Sequence, residues 1–211
     1  MKQATLPHVR RPEPQGNRGR EWEAVLERTH DQYCAHGLGV VFPICNTWEF
    51  AGYHFWQTQP ANRRAKTAEG GLLVRMKSAP DYVGSLRGRG LVFDAKEFAG
   101  ASIPYANFDH DGRAKQIRSV YAASRGGALA GYMILEKRTS RVYWVNGDWV
   151  MDWSERIRRT PGTPKSINFS KLDFSSPLVS HSVFLLGECD GYRFDYAPKL
   201  IPACAADAIH E

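Results

Sequence analysis

The sequence predicts an α/β domain with a mixed central β-sheet flanked by helices. Two segments, residues 18–36 and 112–124, carry apolar residues at helical spacing. Short apolar runs bounded by Gly, Pro, Asn or Ser lie between and after them, which is typical of strands. The order is helix, strand, long insertion, strand hairpin, helix, strand pair and helix, and such alternation favours a layered α/β fold.

The first helix is expected over residues 18–36, with Asn17 as N-cap and Gly37 just past its end. Its apolar stripe consists of Trp22, Val25, Leu26, Thr29 and Tyr33. Glu23 lies beside this stripe, so its carboxylate either points into a cleft or is an ordinary first-turn acid favoured by the helix dipole.

Residues 1–17 are expected to form a flexible basic arm, and residues 18–211 a single domain with an insertion at about residues 46–71. The arm is rich in Pro, Arg and Gln and has no periodic apolar residues. A solvated tail explains this composition as well as a DNA-contacting arm does. The candidate phosphate-binding residues in this region are Arg10, Arg11, Arg18 and Arg20.

Residues 38–44, LGVVFPI, are predicted to form a buried strand, and residues 72–78 a further strand. The insertion between them begins with aromatic residues and continues into a polar, basic loop, which predicts a protruding β-hairpin. Aromatic rings could stack on bases while the tip cations contact phosphates. Packing of the aromatic rings on the core is at least an equal alternative. The tip cations are Arg63, Arg64 and Lys66.

The stretch DYVGSLRGRGLVFDAK, residues 81–96, predicts two strands joined by an Arg-Gly turn. Asp94 and Lys96 are two residues apart and therefore project from the same face of an extended strand. Together with Asp81 they form the pattern of a metal-dependent nuclease, since carboxylate oxygens suit Mg²⁺ and a nearby lysine can orient or deprotonate a water. Taken alone, the same pattern also fits a solvated hairpin surface.

The second helix, over residues 112–124, places Gln116 next to its apolar stripe, where the amide either serves a site or is simply solvated. Residues 109–111, Asp-His-Asp, do not predict a metal site, because three adjacent residues cannot easily converge on one ion. A strand pair is expected over residues 129–137 and 141–147, then a short helix over residues 147–159. The last fifty residues are less regular, with one strand at VFLLGE.

The formal charge of +6 and a pI near 9.2 suit a polyanionic partner. The four cysteines are scattered without a Cys-x-x-Cys pair, so neither a zinc site nor a disulfide framework is indicated. The N-terminal residues have no apolar signal region and no run approaches membrane-spanning length, so we expect a cytoplasmic protein with no membrane partner.

Taken together, the sequence resembles the RecU family of Holliday junction resolvases. The matching stretches, in chain order, are Asn17-Arg18-Gly19 with Glu23, His36-Gly37, Asp81-Tyr82 with Gly84, Phe93-Asp94-Ala95-Lys96-Glu97, Phe108, Gln116-Ile117, Lys165-Ser166-Ile167 and Tyr196-Ala197-Pro198. Two departures stand out. The family commonly has Glu where this chain has Asp94, and Thr tends to precede the first aspartate where this chain has Pro80.

The resemblance implies a restriction-endonuclease-like core, with the insertion as a stalk that enters the centre of a four-way junction. It implies a homodimer in a bacterial or phage-infected cytoplasm that nicks two opposed strands, using Mg²⁺ or, as a substitute, Mn²⁺. By position, Asp81 and Asp94 would bind the metal with support from Glu23, Lys96 would orient or activate the attacking water, and Gln116 would assist. The alternatives are a non-catalytic junction-binding protein and a duplex-cutting restriction or repair endonuclease of the same fold. DNA contacts are expected from the basic residues of the arm and insertion and from Arg87 and Arg89.

Overall fold

The structure, a computed structural model, confirms a mixed central sheet flanked by helices. It describes residues 20–44, 48–52, 64–66, 72–75, 80–109, 114–175, 179, 181–191 and 194–205. The basic arm, the N-cap at Asn17 and the tip residue Arg63 lie outside these ranges. Among the described residues, no helix is both long enough and apolar enough to cross a membrane.

Four helices and eleven strands make up the described fold. The helices are α1 (Arg20–Ala35), α2 (Lys115–Arg125), α3 (Gly147–Arg159) and α4 (Ala197–Ala205). The strands are β1 (Gly39–Pro43), β2 (Trp48–Gly52), β3 (Arg64–Lys66), β4 (Leu72–Arg75), β5 (Tyr82–Leu86), β6 (Arg89–Phe98), β7 (Ile103–Pro104), β8 (Leu129–Glu136), β9 (Arg141–Asn146), β10 (Ser166–Ile167) and β11 (Val183–Glu188).

The main sheet has six strands in the order β1-β5-β6-β8-β9-β11. Strands β6 and β8 are parallel and the other neighbours are antiparallel, so the sheet is mixed. The chain passes from β6 to β8 through α2, as a parallel connection requires.

Each face of the sheet carries its own apolar core. On one face, α1 and α4 pack on Leu91, Phe93 and Trp144. On the other face, α2 and α3 pack on Tyr132, Ile134 and Val145. Because side chains alternate along a strand, Asp94 and Lys96 share the α2 and α3 face, and Phe93 the α1 face.

The insertion contributes a separate three-stranded antiparallel sheet in the order β2-β4-β3. The strand expected over residues 72–78 is therefore observed in part, as β4, and it pairs within the insertion. Arg64 and Lys66 belong to β3, and the segment between β2 and β3 lies outside the described residues.

The prediction of a buried strand at residues 38–44 was wrong in its burial. Strand β1 forms, but it lies at the edge of the sheet, with Val41 buried while Val40 and Phe42 are 38% and 60% exposed. Helix α4 was not predicted, because the sequence there contains prolines. Pro198 lies in the first turn of α4, where the missing amide hydrogen is tolerated.

Candidate active site

The β5–β6 hairpin brings the two predicted acids together. Its turn has positive φ at Arg87 (48°) and Gly88 (82°), which matches the two-residue turn that suits the twist of an antiparallel pair. This turn sets the register so that Tyr82 lies opposite Phe93. Asp81 therefore lies beside Asp94, and the Asp81 carboxylate accepts a hydrogen bond from the backbone N–H of Ala95 at 3.0 Å.

Asp94 is fully buried and is held by two side chains. Its Oδ1 accepts a hydrogen bond from Gln116 Nε2, and its Oδ2 forms an ion pair with Lys96 Nζ. Burial raises the pKa of Asp94 to about 8, with Lys96 opposing this shift and the neighbouring Asp81 adding to it. Ionisation of the Asp94 carboxylate therefore depends on nearby positive charge, and Lys96 supplies some of that charge.

Gln116 connects the two functional side chains of β6. Its amide nitrogen donates to Asp94, and its Oε1 accepts a hydrogen bond from Lys96 Nζ at 3.3 Å. It lies in the first turn of α2, whose start is fixed by Asp109, since the Asp109 carboxylate accepts a hydrogen bond from the Ala114 N–H at 2.7 Å. Asp109 thus anchors the start of α2.

Glu23 approaches the hairpin from the opposite side of the sheet. It is exposed on α1, and together with Glu27 and Asp81 it adds to the effect of burial in raising the pKa of Tyr82. The Tyr82 hydroxyl thus lies near carboxylates of both α1 and the hairpin. Glu27 was not predicted to lie near the site, although it is one helical turn after Glu23.

Tyr132 is a neighbour of the site that the sequence analysis missed. It pairs with Asp94 across the parallel β6–β8 ladder, and its buried hydroxyl has no hydrogen-bond partner among the described residues. Burial raises the pKa of Tyr132 well above its usual value, and the charge of Asp94 adds to this effect. Only the strand order reveals this proximity.

The basic residues of the hairpin turn lie apart from the acids. Five residues of extended chain separate Arg89 from Asp94, which is about 17 Å at about 3.4 Å per residue. Arg87 is exposed at the turn and Arg89 is half-buried beside it. These two arginines are therefore not part of the cluster formed by the acids.

The acids suit a divalent cation that retains water ligands. Within the described ranges, no group of three or more His, Cys, Asp or Glu side chains forms a ready metal site. Mg²⁺ is nevertheless commonly held by one or two carboxylates together with waters and substrate phosphates. Asp81 and Asp94 lie side by side and are the two carboxylates that could hold such a cation.

Comparison with known proteins identifies a family for most of the chain. The model of a family described as RecU, recombination protein U, matches residues 17–185. The Holliday junction resolvase RecU of Streptococcus oralis is 33% identical over 95 residues, which is 44% of this chain and 45% of that relative. The matched part thus spans less than half the length of the relative.

Proposed function

Since the chain belongs to the RecU family, we propose that it is an endonuclease that resolves four-way (Holliday) DNA junctions in homologous recombination and DNA repair. The observation that carries this proposal is the convergence of Asp81, Asp94, Lys96 and Gln116 at one end of the hairpin. Adjacent carboxylates with an ammonium group beside them suit the hydrolysis of a phosphodiester. The mixed sheet supports a restriction-endonuclease-like core.

The proposed cofactor is Mg²⁺, with Mn²⁺ as a substitute. When bound, the ion would polarise the scissile phosphate and lower the pKa of a water. Asp81 and Asp94 would hold it, whereas Glu23, on the opposite face of the sheet near Tyr82, would support the site only indirectly, through the Asp81 end of the hairpin. The buried Asp94 side chain favours this role, because a bound cation would offset the cost of ionising a carboxylate that burial otherwise keeps protonated.

Lys96 has the role of positioning the attacking water. Its ammonium group is held between Asp94 Oδ2 and Gln116 Oε1, so its direction is fixed before substrate binds. Fixed donors stabilise charge that develops on phosphate oxygens without reorganising during the reaction. Gln116 keeps both groups in place and is therefore a positioning residue.

Junction selectivity is assigned to the insertion and to a two-fold homodimer. We propose that the insertion forms the stalk that enters the junction, with Arg63, Arg64 and Lys66 on phosphates and with further contacts from the arm. Two active sites related by a two-fold axis would match the pseudo-symmetry of a four-way junction and give paired nicks. Selectivity would then rest on DNA shape and backbone contacts.

The test is cleavage of a labelled mobile four-way junction and of its component duplexes, in Mg²⁺ and in EDTA. We expect symmetric cuts in the junction with Mg²⁺, intact duplexes, and no cutting in EDTA. Equal cutting of the duplexes would identify a restriction or repair endonuclease instead. Tight junction binding without turnover in Mg²⁺ or Mn²⁺ would identify a non-catalytic junction-binding protein.

A further inference from the structure

The sheet face that bears the catalytic residues continues into a groove that the proposed chemistry does not use. Lys96 pairs with Ile134, Ile134 with Tyr143, and Tyr143 with Leu185. Residues paired across strands project from the same face. Tyr143 is therefore two strands away from Lys96, which is about 10 Å at about 4.8 Å per strand.

The groove is open and has an aromatic wall. Its volume is about 720 Å³, within the range of about 300 to 1,000 Å³ common for small-ligand sites. The Tyr143 ring stacks on Phe169 at 4.1 Å with an interplanar angle of 10°, and is nearly parallel to Phe174 at 6.4 Å and 13°. Phe174 and Leu185 are each 38% exposed, so flat apolar surface faces the groove.

Two arginines line the same groove. Arg138 pairs with Glu136 at 3.5 Å, and Arg141 with Glu188 at 3.8 Å. The side chains of Arg141 and Glu188 are 50% and 72% exposed, and exposed ion pairs of this length are weak, so the Arg141 guanidinium can turn to a phosphate. Arg138 is 63% exposed, but its partner Glu136 is only 10% exposed, so Arg138 can contact a phosphate with the donors that Glu136 does not use.

We propose that this groove binds an unpaired nucleobase of the DNA strand held at the active site, with the base stacked on Phe174 and the adjacent phosphates on Arg138 and Arg141. Parallel rings with cations beside them suit single-stranded DNA, because every base offers a flat face and every linkage a charge. This inference rests on the proposed function, in which the strand lies at Lys96. Tyr143 is about 10 Å from Lys96 by the strand spacing, and the Phe174 ring lies 6.4 Å from the Tyr143 ring, so the bound base would lie within a few nucleotides of the cleaved phosphate.

The first experiment uses the wild-type protein and needs no variant. A junction with 5-iododeoxyuridine two to four nucleotides from the cleaved phosphate, on either side, is bound in EDTA and irradiated. Crosslinks are located by mass spectrometry. We expect a crosslink at Phe174 or Tyr143, and its absence from junction complexes that cleave when Mg²⁺ is added would overturn the proposal.

The second experiment uses fluorescence anisotropy to measure how tightly the protein binds a labelled oligothymidylate of about twelve nucleotides in EDTA. Phe174→Ala should weaken binding at least about 5-fold, the lower end of the range expected for losing one base–aromatic stack. The matched control is Phe42→Ala, which removes an exposed phenylalanine from the edge strand β1. Arg138→Gln should lower the salt dependence of binding by about one phosphate contact.

The outcomes separate this inference from the proposed function. Weaker oligonucleotide binding by Phe174→Ala supports the groove, whether or not the wild-type protein cleaves junctions. Equal oligonucleotide affinities of Phe174→Ala and Phe42→Ala overturn the groove proposal. If the wild-type protein still cleaves junctions, the proposed function is unaffected. The groove would then suit a protein segment. Urea unfolding of both variants shows that any loss of binding occurs in folded protein.

Discussion

The charge state of Asp94 depends on opposing influences of its neighbours. Its carboxylate is removed from water beside the Asp81 carboxylate, and both effects favour the protonated form, while Lys96 favours the ionised form. Burial has the largest effect, so the pKa of Asp94 stays raised and the side chain is only partly ionised near neutral pH. A bound cation would favour its full ionisation. Gln116 and Lys96 hold one carboxylate oxygen each and so fix the orientation of the Asp94 side chain.

We expect Asp94→Asn and Lys96→Ala to abolish junction cleavage while leaving junction binding within a few-fold of wild type. The first change removes the charge that would hold the metal, and the second removes the group that positions the water. Gel retardation in EDTA and cleavage in Mg²⁺ measure the two properties separately.

The control for both variants is Glu97→Gln, on the opposite face of β6, where Glu97 pairs with Lys137 at 3.4 Å. This change should leave cleavage close to the wild-type rate. Full activity of Asp94→Asn and Lys96→Ala would remove the hairpin from the mechanism.

His30 predicts a loss of stability in acid. Its ring is 4% exposed among Tyr82, Phe93 and Tyr196, none of which is charged near neutral pH, and burial lowers its pKa to about 4. Below about pH 6.5, His30 therefore binds a proton in the unfolded chain but stays neutral in the folded chain. The free energy of unfolding consequently falls as the pH drops from about 6.5 towards 4.

When the pH is lowered from 7.5 to 5, protonation of His30 in the unfolded chain should reduce the free energy of unfolding by about 2 kcal/mol. The variant His30→Phe should lose that much less stability over this interval, as measured by urea unfolding without metal. His36→Gln, at an exposed histidine, should behave like wild type. Equal pH dependence in wild type and His30→Phe would contradict the assignment.

At the scale of elements, the sequence predicts those whose pattern is local. The hairpin at residues 81–96 and the helix at residues 147–159 follow from alternation, turn residues and helical spacing. The burial of β1 was mispredicted because an apolar run is the same in an edge strand and a central strand. Tyr132 was missed because its nearness to Asp94 depends on which strand lies beside β6.

Strand β8 also depends on a glycine whose importance the sequence does not reveal. A Cβ on Gly131 would lie 2.5 Å from the Val145 carbonyl oxygen and 2.7 Å from Cζ2 of Trp144. Gly131→Ala should therefore cost about 1 to 3 kcal/mol, typical of overpacking. The comparison is Gly90→Ala, whose Cβ would meet only Ala128, with its nearest atom at 3.5 Å.

Urea midpoints of the two glycine variants test this prediction. A midpoint for Gly131→Ala equal to that of Gly90→Ala would show that β9 moves aside at little cost.

The insertion should contribute to the preference for junctions over duplexes without being needed for the main sheet to fold. Replacing residues 58–69 by a short linker removes β3 but no strand of the main sheet. We expect the ratio of junction to duplex affinity to fall, with a much smaller change in the thermal unfolding midpoint. An unchanged affinity ratio would exclude the insertion as the proposed stalk.

At the scale of the whole molecule, the proposed homodimer makes resolution a property of two active sites. A plasmid with an extruded cruciform becomes linear when both strands are cut during one binding event and becomes an open circle when one strand is cut. Mixing wild type with excess Asp94→Asn should therefore shift the product from linear to open circle. A constant product ratio at rising Asp94→Asn would argue against paired sites in one dimer.

The parallel pairing of β6 and β8 sets uneven limits on how this chain can change in length. Chains of L-amino acids cross over between adjacent parallel strands with one hand, so α2 is confined to one side of the sheet. Asp94 meets Gln116 only because Asp94, Lys96 and Phe98 are at sequence offsets of two and therefore project from the same side of β6. One residue inserted in β6 ahead of Asp94 would turn the carboxylate towards α1, whereas the loop at residues 99–102, between β6 and β7, can lengthen without reversing any side chain of β6. Homologues should therefore vary in the loop and keep the strand length constant.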